Sequence, residues 1–181
     1  MKKLPSQKGV YVLCDLDQVP IYVGKSTDGI RSRVARHLTS ARSDIIANRQ
    51  IDVWEIAYVW AYPVDDIATI NRLEAQLFHH FNPKSKLMNG KALPPPGTKS
   101  VPKPDVKVQV MADAEIEEKK EPEQRLPRQA AHYAQIVGHF LAVKNSDQIA
   151  SAMNAHFERL ARYHQTLLAT AEPEADVADG S

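Results

Sequence analysis

The sequence predicts an α+β protein in which a three-stranded antiparallel sheet is flanked by helices and followed by a C-terminal helical hairpin. Three observations predict this class. Two short apolar runs with tyrosines stand on either side of a polar turn near the N-terminus. Apolar residues then recur at helical spacing in two segments before position 82. Helical periodicity returns only after position 128, beyond a proline-rich stretch.

The first two predicted strands are Gly9–Cys14 and Val19–Val23, which contain Tyr11 and Tyr22. Both runs are rich in valine and aromatic residues, which favour strands, and residues 15–18 (DLDQ) supply turn chemistry. The pair therefore predicts a β-hairpin with its tyrosines on neighbouring strands. Gly24 then ends the second strand and leads into a polar loop.

The segment IRSRVARHL, which begins at position 30, predicts the first helix. Its apolar residues recur every four positions, at Ile30, Val34 and Leu38. Arg33 and His37 are also four residues apart, so they share a second face of the helix with Arg36. On the residues alone, three cations on an amphipathic helix describe a solvated face as well as a binding surface.

A short second helix and a third strand, Ile51–Tyr62, are predicted next, giving the order ββααβα with the helix that follows. That helix, Asp66–Phe81, is apolar along one stripe except at Glu74; the apolar members are Ile67, Ile70, Leu77 and Phe81. A carboxylate on a buried face costs several kcal/mol unless it is paired, against a total domain stability of ~5–15 kcal/mol. Glu74 is therefore either ion-paired with a helix arginine or retained for function.

Four of these features together resemble the catalytic domain of the GIY-YIG nucleases. They are GVY at Gly9–Tyr11, YVG at Tyr22–Gly24, the arginine helix and the later lone glutamate. The resemblance covers about residues 8–91. It implies a metal-dependent endonuclease that hydrolyses phosphodiester bonds in DNA, with the glutamate, Glu74, holding a divalent cation, Mg²⁺ or Mn²⁺.

The resemblance also implies roles on the arginine helix and in the loop after the last helix of the domain. Arg33 would contact the scissile phosphate, with Arg31 as the fallback because the spacing from the second tyrosine is one residue longer than usual. His37 would assist. Asn89 would lie near the catalytic glutamate, and we prefer it to Asn82, which precedes a proline and has a local explanation as a helix stop.

A tyrosine hydroxyl would serve as the general base in this resemblance. A tyrosine with an ordinary pKa near 10 is a poor base at neutral pH, so the neighbouring cations Lys25 and Arg33 are part of the requirement. The sequence does not decide which tyrosine acts, and we expect Tyr11 to be the base with Tyr22 orienting it. His37 would be a second hydrogen-bonding or proton-transfer group.

Two other hypotheses stay open on the sequence. The chain could be a catalytically inactive DNA-binding or adaptor module on the same fold, acting through its C-terminal helices. It could also be an unrelated small α+β domain in which Glu74 is simply ion-paired.

The second half of the chain has a different character. Residues 93–127 hold a proline triplet, mixed charge and no sustained period, which predicts a linker between a domain at 1–92 and a helical hairpin at 128–170. Within it, Val106–Val110 alternates, which is compatible with an added edge strand or with pairing to a partner, but a five-residue run between prolines and acids is too short to count as a strand of the domain. The hairpin is too thin to fold alone, and we expect it to bind a second copy or a protein partner rather than dock on the first domain. An acidic tail, 171–181, follows.

Composition sets outer limits on function. Residues 1–92 carry 13 Lys and Arg against 9 Asp and Glu, which is compatible with DNA without being a strong basic footprint. Cys14 is the single cysteine, which excludes an internal disulfide and a thiolate metal cluster. No apolar stretch approaches the ~20 residues of a membrane span. We expect a soluble, cytoplasmic protein.

Overall fold

Four strands form one antiparallel sheet in the order β2-β1-β3-β4. The computed structural model describes residues 2–39, 43–47, 49–98, 100–143 and 146–171. The strands are β1 (Gly9–Cys14), β2 (Pro20–Ser26), β3 (Tyr58–Pro63) and β4 (Val106–Gln109). The helices are α1 (Ile30–Thr39), α2 (Asp44–Ala47), α3 (Ile67–Phe81), α4 (Asp113–Lys120), α5 (Pro122–Ala142) and α6 (Asp147–Ala171).

Successive side chains of β1 point to opposite faces of the sheet, and each face has its own core. Tyr11 and Leu13 pack in one core with apolar residues of α1, namely Ile30 and Val34. Val10 and Val12 pack in the other core with apolar residues of α3, which are Ile70, Leu73, Leu77 and Phe78. The predicted α+β class, the β1–β2 hairpin and the helices α1 and α3 are confirmed.

The sheet has four strands rather than the predicted three, because Val106–Gln109 pairs with β3. The third strand also begins later than predicted. Asp52 accepts a hydrogen bond from the backbone N–H of Trp54 at 3.1 Å and caps a short 3₁₀ turn, Val53–Glu55, ahead of Tyr58. An Asp that bonds its own backbone competes with strand pairing, which the alternation of side chains does not reveal.

The segment predicted as a linker, 93–127, contains β4, α4 and the start of α5. Helix α4 has no apolar stripe to detect: Ile116 is its buried apolar residue, at 2% exposure, and Lys119 pairs with Glu115 at 2.7 Å one turn away. The boundaries at 92 and 128 stay predictions. The tail predicted at 171–181 lies outside the described residues beyond position 171.

Helices α5 and α6 pack against each other and dock on the first domain, so the preference for a freed hairpin is wrong. Ion pairs with buried carboxylates carry this docking. Arg125 makes two bonds to Glu55, at 3.0 and 2.9 Å, and Arg128 makes two to Asp52, at 3.1 and 2.9 Å. Hydrophobic periodicity reports only the positions of apolar residues, so it does not reveal an interface built on arginines. Binding of a second copy or a partner by the hairpin stays a prediction.

His156 of α6 is buried in this interface, where its Nε2 donates to the backbone carbonyl of Gln50 at 2.9 Å. Burial lowers its pKa from the usual 6.5 to about 3, helped by His132, whose ring centroid lies 4.9 Å away, and by Arg159. The hydrogen bond to Gln50 and the nearby Asp52 carboxylate act in the opposite sense and raise this pKa. The folded protein therefore keeps His156 neutral at pH values where the unfolded chain would protonate it.

We expect the contribution of His156 to the free energy of unfolding to be constant above about pH 6.5 and to fall as pH drops toward 3. The unfolded state binds the extra proton in this range, so His156 contributes a loss of about 1.4 kcal/mol per pH unit. Urea unfolding at several pH values measures this slope. The variant His156→Gln, which keeps an N–H donor, should have a shallower slope between pH 5 and 6, whereas His164→Gln on the exposed side of α6 should not. An unchanged slope in His156→Gln would contradict the assignment.

In the described part of the chain, no helix combines the length and the apolar character needed to cross a membrane.

Candidate active site

Two tyrosines and a histidine pack together where the β1–β2 hairpin meets α1. The hydroxyl of Tyr11 and Nε2 of His37 are hydrogen-bonded at 2.6 Å, and Nδ1 of His37 is bonded to the hydroxyl of Ser43 at 2.6 Å. The ring of Tyr22 lies 6.3 Å from that of Tyr11 and 6.4 Å from that of His37, measured between centroids. The sequence prediction that these three residues meet is therefore matched by the structure.

Gly24 makes this arrangement sterically feasible. It is the register partner of Tyr11 across the hairpin. A Cβ atom at this position would lie 2.5 Å from the Tyr11 hydroxyl oxygen and 2.8 Å from a ring carbon of Tyr22. The glycine of the YVG tripeptide therefore lets both tyrosine rings lie directly on the β2 backbone.

The next residue, Lys25, joins β2 to helix α3. Its Nζ is 2.9 Å from Oε2 of Glu74 and 2.8 Å from Oδ1 of Asn71. Asn71 and Glu74 are three residues apart on α3, so both face β2. Glu74 is indeed paired, and the partner that the structure shows is a lysine of β2.

The two groups lie on opposite faces of β2, an edge strand of the sheet. Tyr22 belongs to the α1 side of the sheet, and Val23 belongs to the α3 side. By alternation, Lys25 follows Val23 onto the α3 side. Gly24, under the Tyr11 hydroxyl, and Lys25, beside Glu74, are consecutive residues. The tyrosine group and the carboxylate group therefore flank one point of this edge strand.

Residues 7–89 match the family model of the GIY-YIG catalytic domain. Residues 7–89 therefore form a GIY-YIG catalytic domain. The members of this family are endonucleases that act on DNA and generally use divalent metal ions, so the domain implies nuclease activity. No curated protein and no solved structure matches the chain.

The residues around Glu74 in the GIY-YIG domain fit a divalent cation. Hard cations such as Mg²⁺ take oxygen ligands and are commonly held by one or two carboxylates, with waters and substrate phosphates completing the shell. Here the ammonium group of Lys25 bridges two such oxygens, one from Glu74 and one from Asn71. A positive charge therefore already stands between the two donor oxygens. No group of three or more His, Cys, Asp or Glu side chains suited to a metal occurs among the described residues.

The two arginine candidates differ in their surroundings. Nε of Arg31 donates to the backbone carbonyl of Leu4 at 2.7 Å, which ties the N-terminal segment to α1. Arg33 is partly exposed and lies one turn before His37 on the same helix face. The position of Arg33 is therefore the better suited of the two to a role beside the tyrosine group.

The two asparagine candidates both hold loops in place. Asn89 pairs with the backbone of Val23 in both directions: its Nδ2 donates at 2.7 Å and its Oδ1 accepts at 3.1 Å. Asn82 accepts from the N–H of Leu87 at 3.0 Å. Asn89 thus fixes the strand that carries Tyr22 and Lys25, and a catalytic role for it stays a prediction.

Sequence reasoning missed two residues of this site. Asn71 is one helical turn before Glu74, so the spacing could have revealed it. Ser43, which is hydrogen-bonded to His37, lies directly before α2, and no periodicity marks it.

Proposed function

We propose that this protein is a metal-dependent DNA endonuclease whose active site lies at the β2 edge of the GIY-YIG domain. The observation that supports this best is the convergence at Gly24 and Lys25. The buried Tyr11–His37 pair flanks this point on one face of the strand, and Glu74 flanks it on the other.

The two tyrosines differ in how far they are buried, and this difference supports a different role for each. Tyr11 is 1% exposed and hydrogen-bonded to His37, whereas Tyr22 is partly exposed. Because a general base must contact the water that it deprotonates, we assign that role to Tyr22. Tyr11 and His37 then orient its hydroxyl and offer a path for the proton. This reverses the preference drawn from the sequence.

The remaining residues would stabilise the negative charge of the phosphate or hold the divalent cation. Arg33 would contact the scissile phosphate and stabilise the negative charge that develops on it. Glu74 and Asn71 would hold the divalent cation, and when bound it would supply Lewis-acid stabilisation of the phosphate oxygens. Lys25 would then move out from between the Glu74 and Asn71 oxygens and turn toward the phosphate, because a lysine side chain is long and flexible.

The alternative of an inactive adaptor acting through the C-terminal helices has less support. Those helices are docked on the catalytic domain through the buried Arg125–Glu55 pair and the partly exposed Arg128–Asp52 pair, and the residues of the catalytic set are all present.

The proposal predicts that Arg33→Ala lowers DNA cleavage by about 10²-fold or more. Removing one preorganised donor to a developing oxyanion typically costs that much in rate. Supercoiled plasmid incubated with Mg²⁺ or Mn²⁺ provides the measurement, and EDTA should stop the reaction. Arg36→Ala is the matched control, because Arg36 lies on the same helix in an exposed pair with Asp28.

Arg36→Ala should cut at the wild-type rate. Loss of activity in both variants, or in neither, would count against a phosphate contact by Arg33. Wild-type protein that binds DNA in EDTA and still fails to cut any DNA once metal is restored would favour the inactive-module alternative.

A further inference from the structure

A cleft of about 460 Å³ opens beside Glu74, and its lining does not include Tyr11, Tyr22 or His37. One side belongs to β2 and α3, with Lys25, Asn71, Arg72 and Glu74. The other side is the chain segment Leu93–Gly97, which contains three consecutive prolines and follows the family-matched residues 7–89. We call this segment the proline wall.

Contacts of its first residue fix the start of the proline wall, and its three prolines make the segment stiff. Nε2 of His79 donates to the backbone carbonyl of Leu93 at 2.8 Å, and the Leu93 side chain packs on the α3 core. Each proline fixes its own φ angle, so three in a row form a semi-rigid stretch. A second cavity, of about 510 Å³, lies on the far side of Pro95 and Pro96. The wall therefore stands as a ridge with open space on both sides.

The two sides of the cleft differ in chemistry. Arg72 and Lys25 supply two positive charges against the single negative charge of Glu74, so the α3 side attracts a phosphate. Prolines have no backbone N–H, and the wall offers ring methylene groups and carbonyl acceptors instead. Such a surface cannot donate hydrogen bonds to base edges, but it suits contact with the flat face of a base.

We propose that this cleft binds an unpaired nucleotide next to the scissile phosphate, and that the enzyme therefore prefers unpaired DNA strands to continuous duplex. In a duplex the base faces are stacked on one another and only edges and phosphates are accessible. An unpaired strand presents phosphates and base faces together, which match the α3 side and the proline wall. This inference rests on the proposed nuclease function.

Cleavage of one oligonucleotide sequence, supplied as a single strand and as a blunt duplex, tests the preference. Wild-type protein should show a kcat/KM about tenfold or more higher on the single strand, the order of effect of one stacked base. The triple variant Pro94→Gly, Pro95→Gly, Pro96→Gly should lose most of this ratio. The matched control is Pro102→Gly with Pro104→Gly, which changes prolines outside the cleft and should keep the ratio. Equal cleavage of both substrates by the wild type, or an unchanged ratio in the triple variant, would overturn the inference.

Binding in EDTA tests the cleft independently of cleavage. Fluorescence anisotropy with the labelled single strand should give a weaker affinity for Arg72→Ala, and a slope of log K against log salt smaller by about 0.7. Lys84→Ala, on the far side of the wall, should bind as the wild type does. If no DNA is cut, the nuclease proposal fails while these measurements still judge the cleft. Equal affinities and salt slopes for the two variants would refute the cleft as a strand-binding site.

Discussion

Replacing Glu74 with glutamine is expected to lower metal-dependent DNA cleavage by at least about 10³-fold, which corresponds to about 4 kcal/mol of activation free energy. Glutamine has the shape of glutamate and keeps an oxygen that accepts from Lys25, but it has no negative charge to hold a cation. The barrier should rise because the phosphate would lose the charge stabilisation that the cation supplies. The rate of plasmid nicking in Mg²⁺ and in Mn²⁺ measures the effect.

The fold should survive this substitution. Glu74 has a 12% exposed side chain, but its partner Lys25 is 44% exposed, so solvent screens the pair. Removing the charge should therefore change the free energy of unfolding by less than about 1 kcal/mol. Circular dichroism and urea unfolding check this. A large loss of stability would mean that Glu74 is mainly a structural ion-pair partner.

Glu158→Gln is the matched control for cleavage. Glu158 is 56% exposed and pairs with Lys86 at 3.1 Å, away from the proposed site. We expect that variant to cut as the wild type does. The cleavage rate of Asn71→Ala should lie between those of Glu74→Gln and Glu158→Gln, about 10- to 100-fold below the wild-type rate. Undiminished cleavage by Glu74→Gln would contradict the assignment of Glu74 as the metal-binding residue.

The parts of this protein that the sequence predicted are those encoded by local periodicity. The valine-rich and aromatic run Gly9–Cys14 and the apolar stripe of α3 are each local in sequence, so they can be recognised without knowledge of the rest of the fold. Glu74 was detectable for the same reason, because a carboxylate interrupts an otherwise apolar stripe. Its partner was not, since Lys25 is close to it only after β2 and α3 have packed.

The parts that the sequence did not predict depend on contacts between distant positions. Arg125 and Glu55 are 70 residues apart, and Arg159 and Asp15 are 144 apart. On a helical pattern such arginines are indistinguishable from solvated surface residues. Strand β4 is equally dependent on its partner, because four residues between prolines and acids form a strand only where the edge of β3 is available.

Arg159 is the most completely buried cation that joins α6 to the catalytic domain in the described structure, with a side-chain exposure of 3%. Its Nη1 is 2.5 Å from Oδ2 of Asp15, which is itself 2% exposed. Its Nη2 donates to the carbonyl of Pro20 at 3.2 Å and to the hydroxyl of Ser85 at 2.8 Å. One side chain thus connects α6, the β1–β2 turn and the loop after α3.

Arg159→Met should lower the free energy of unfolding by about 3–5 kcal/mol. Methionine fills a similar volume, but it leaves the Asp15 carboxylate buried without its closest cation, and that cost is characteristic of breaking one side of a buried pair. The loss is a large share of a total stability of ~5–15 kcal/mol. Urea unfolding, followed by tryptophan fluorescence, measures it.

Arg162→Met is the matched control, because Arg162 lies three residues further along α6 and is exposed. It should change the free energy of unfolding by less than about 0.5 kcal/mol. Equal effects of the two substitutions would contradict a special role for Arg159.

A double variant separates the lost ion pair from lost packing. Oδ1 of Asp15 accepts from the backbone N–H groups of Asp17 and Val19, at 3.0 and 2.9 Å, and an asparagine at this position keeps that oxygen while removing the charge. Asp15→Asn combined with Arg159→Met should therefore be at least about 1 kcal/mol more stable than the sum of the single losses predicts. Strict additivity would mean that packing of the arginine side chain, rather than its charge, holds α6 on the domain.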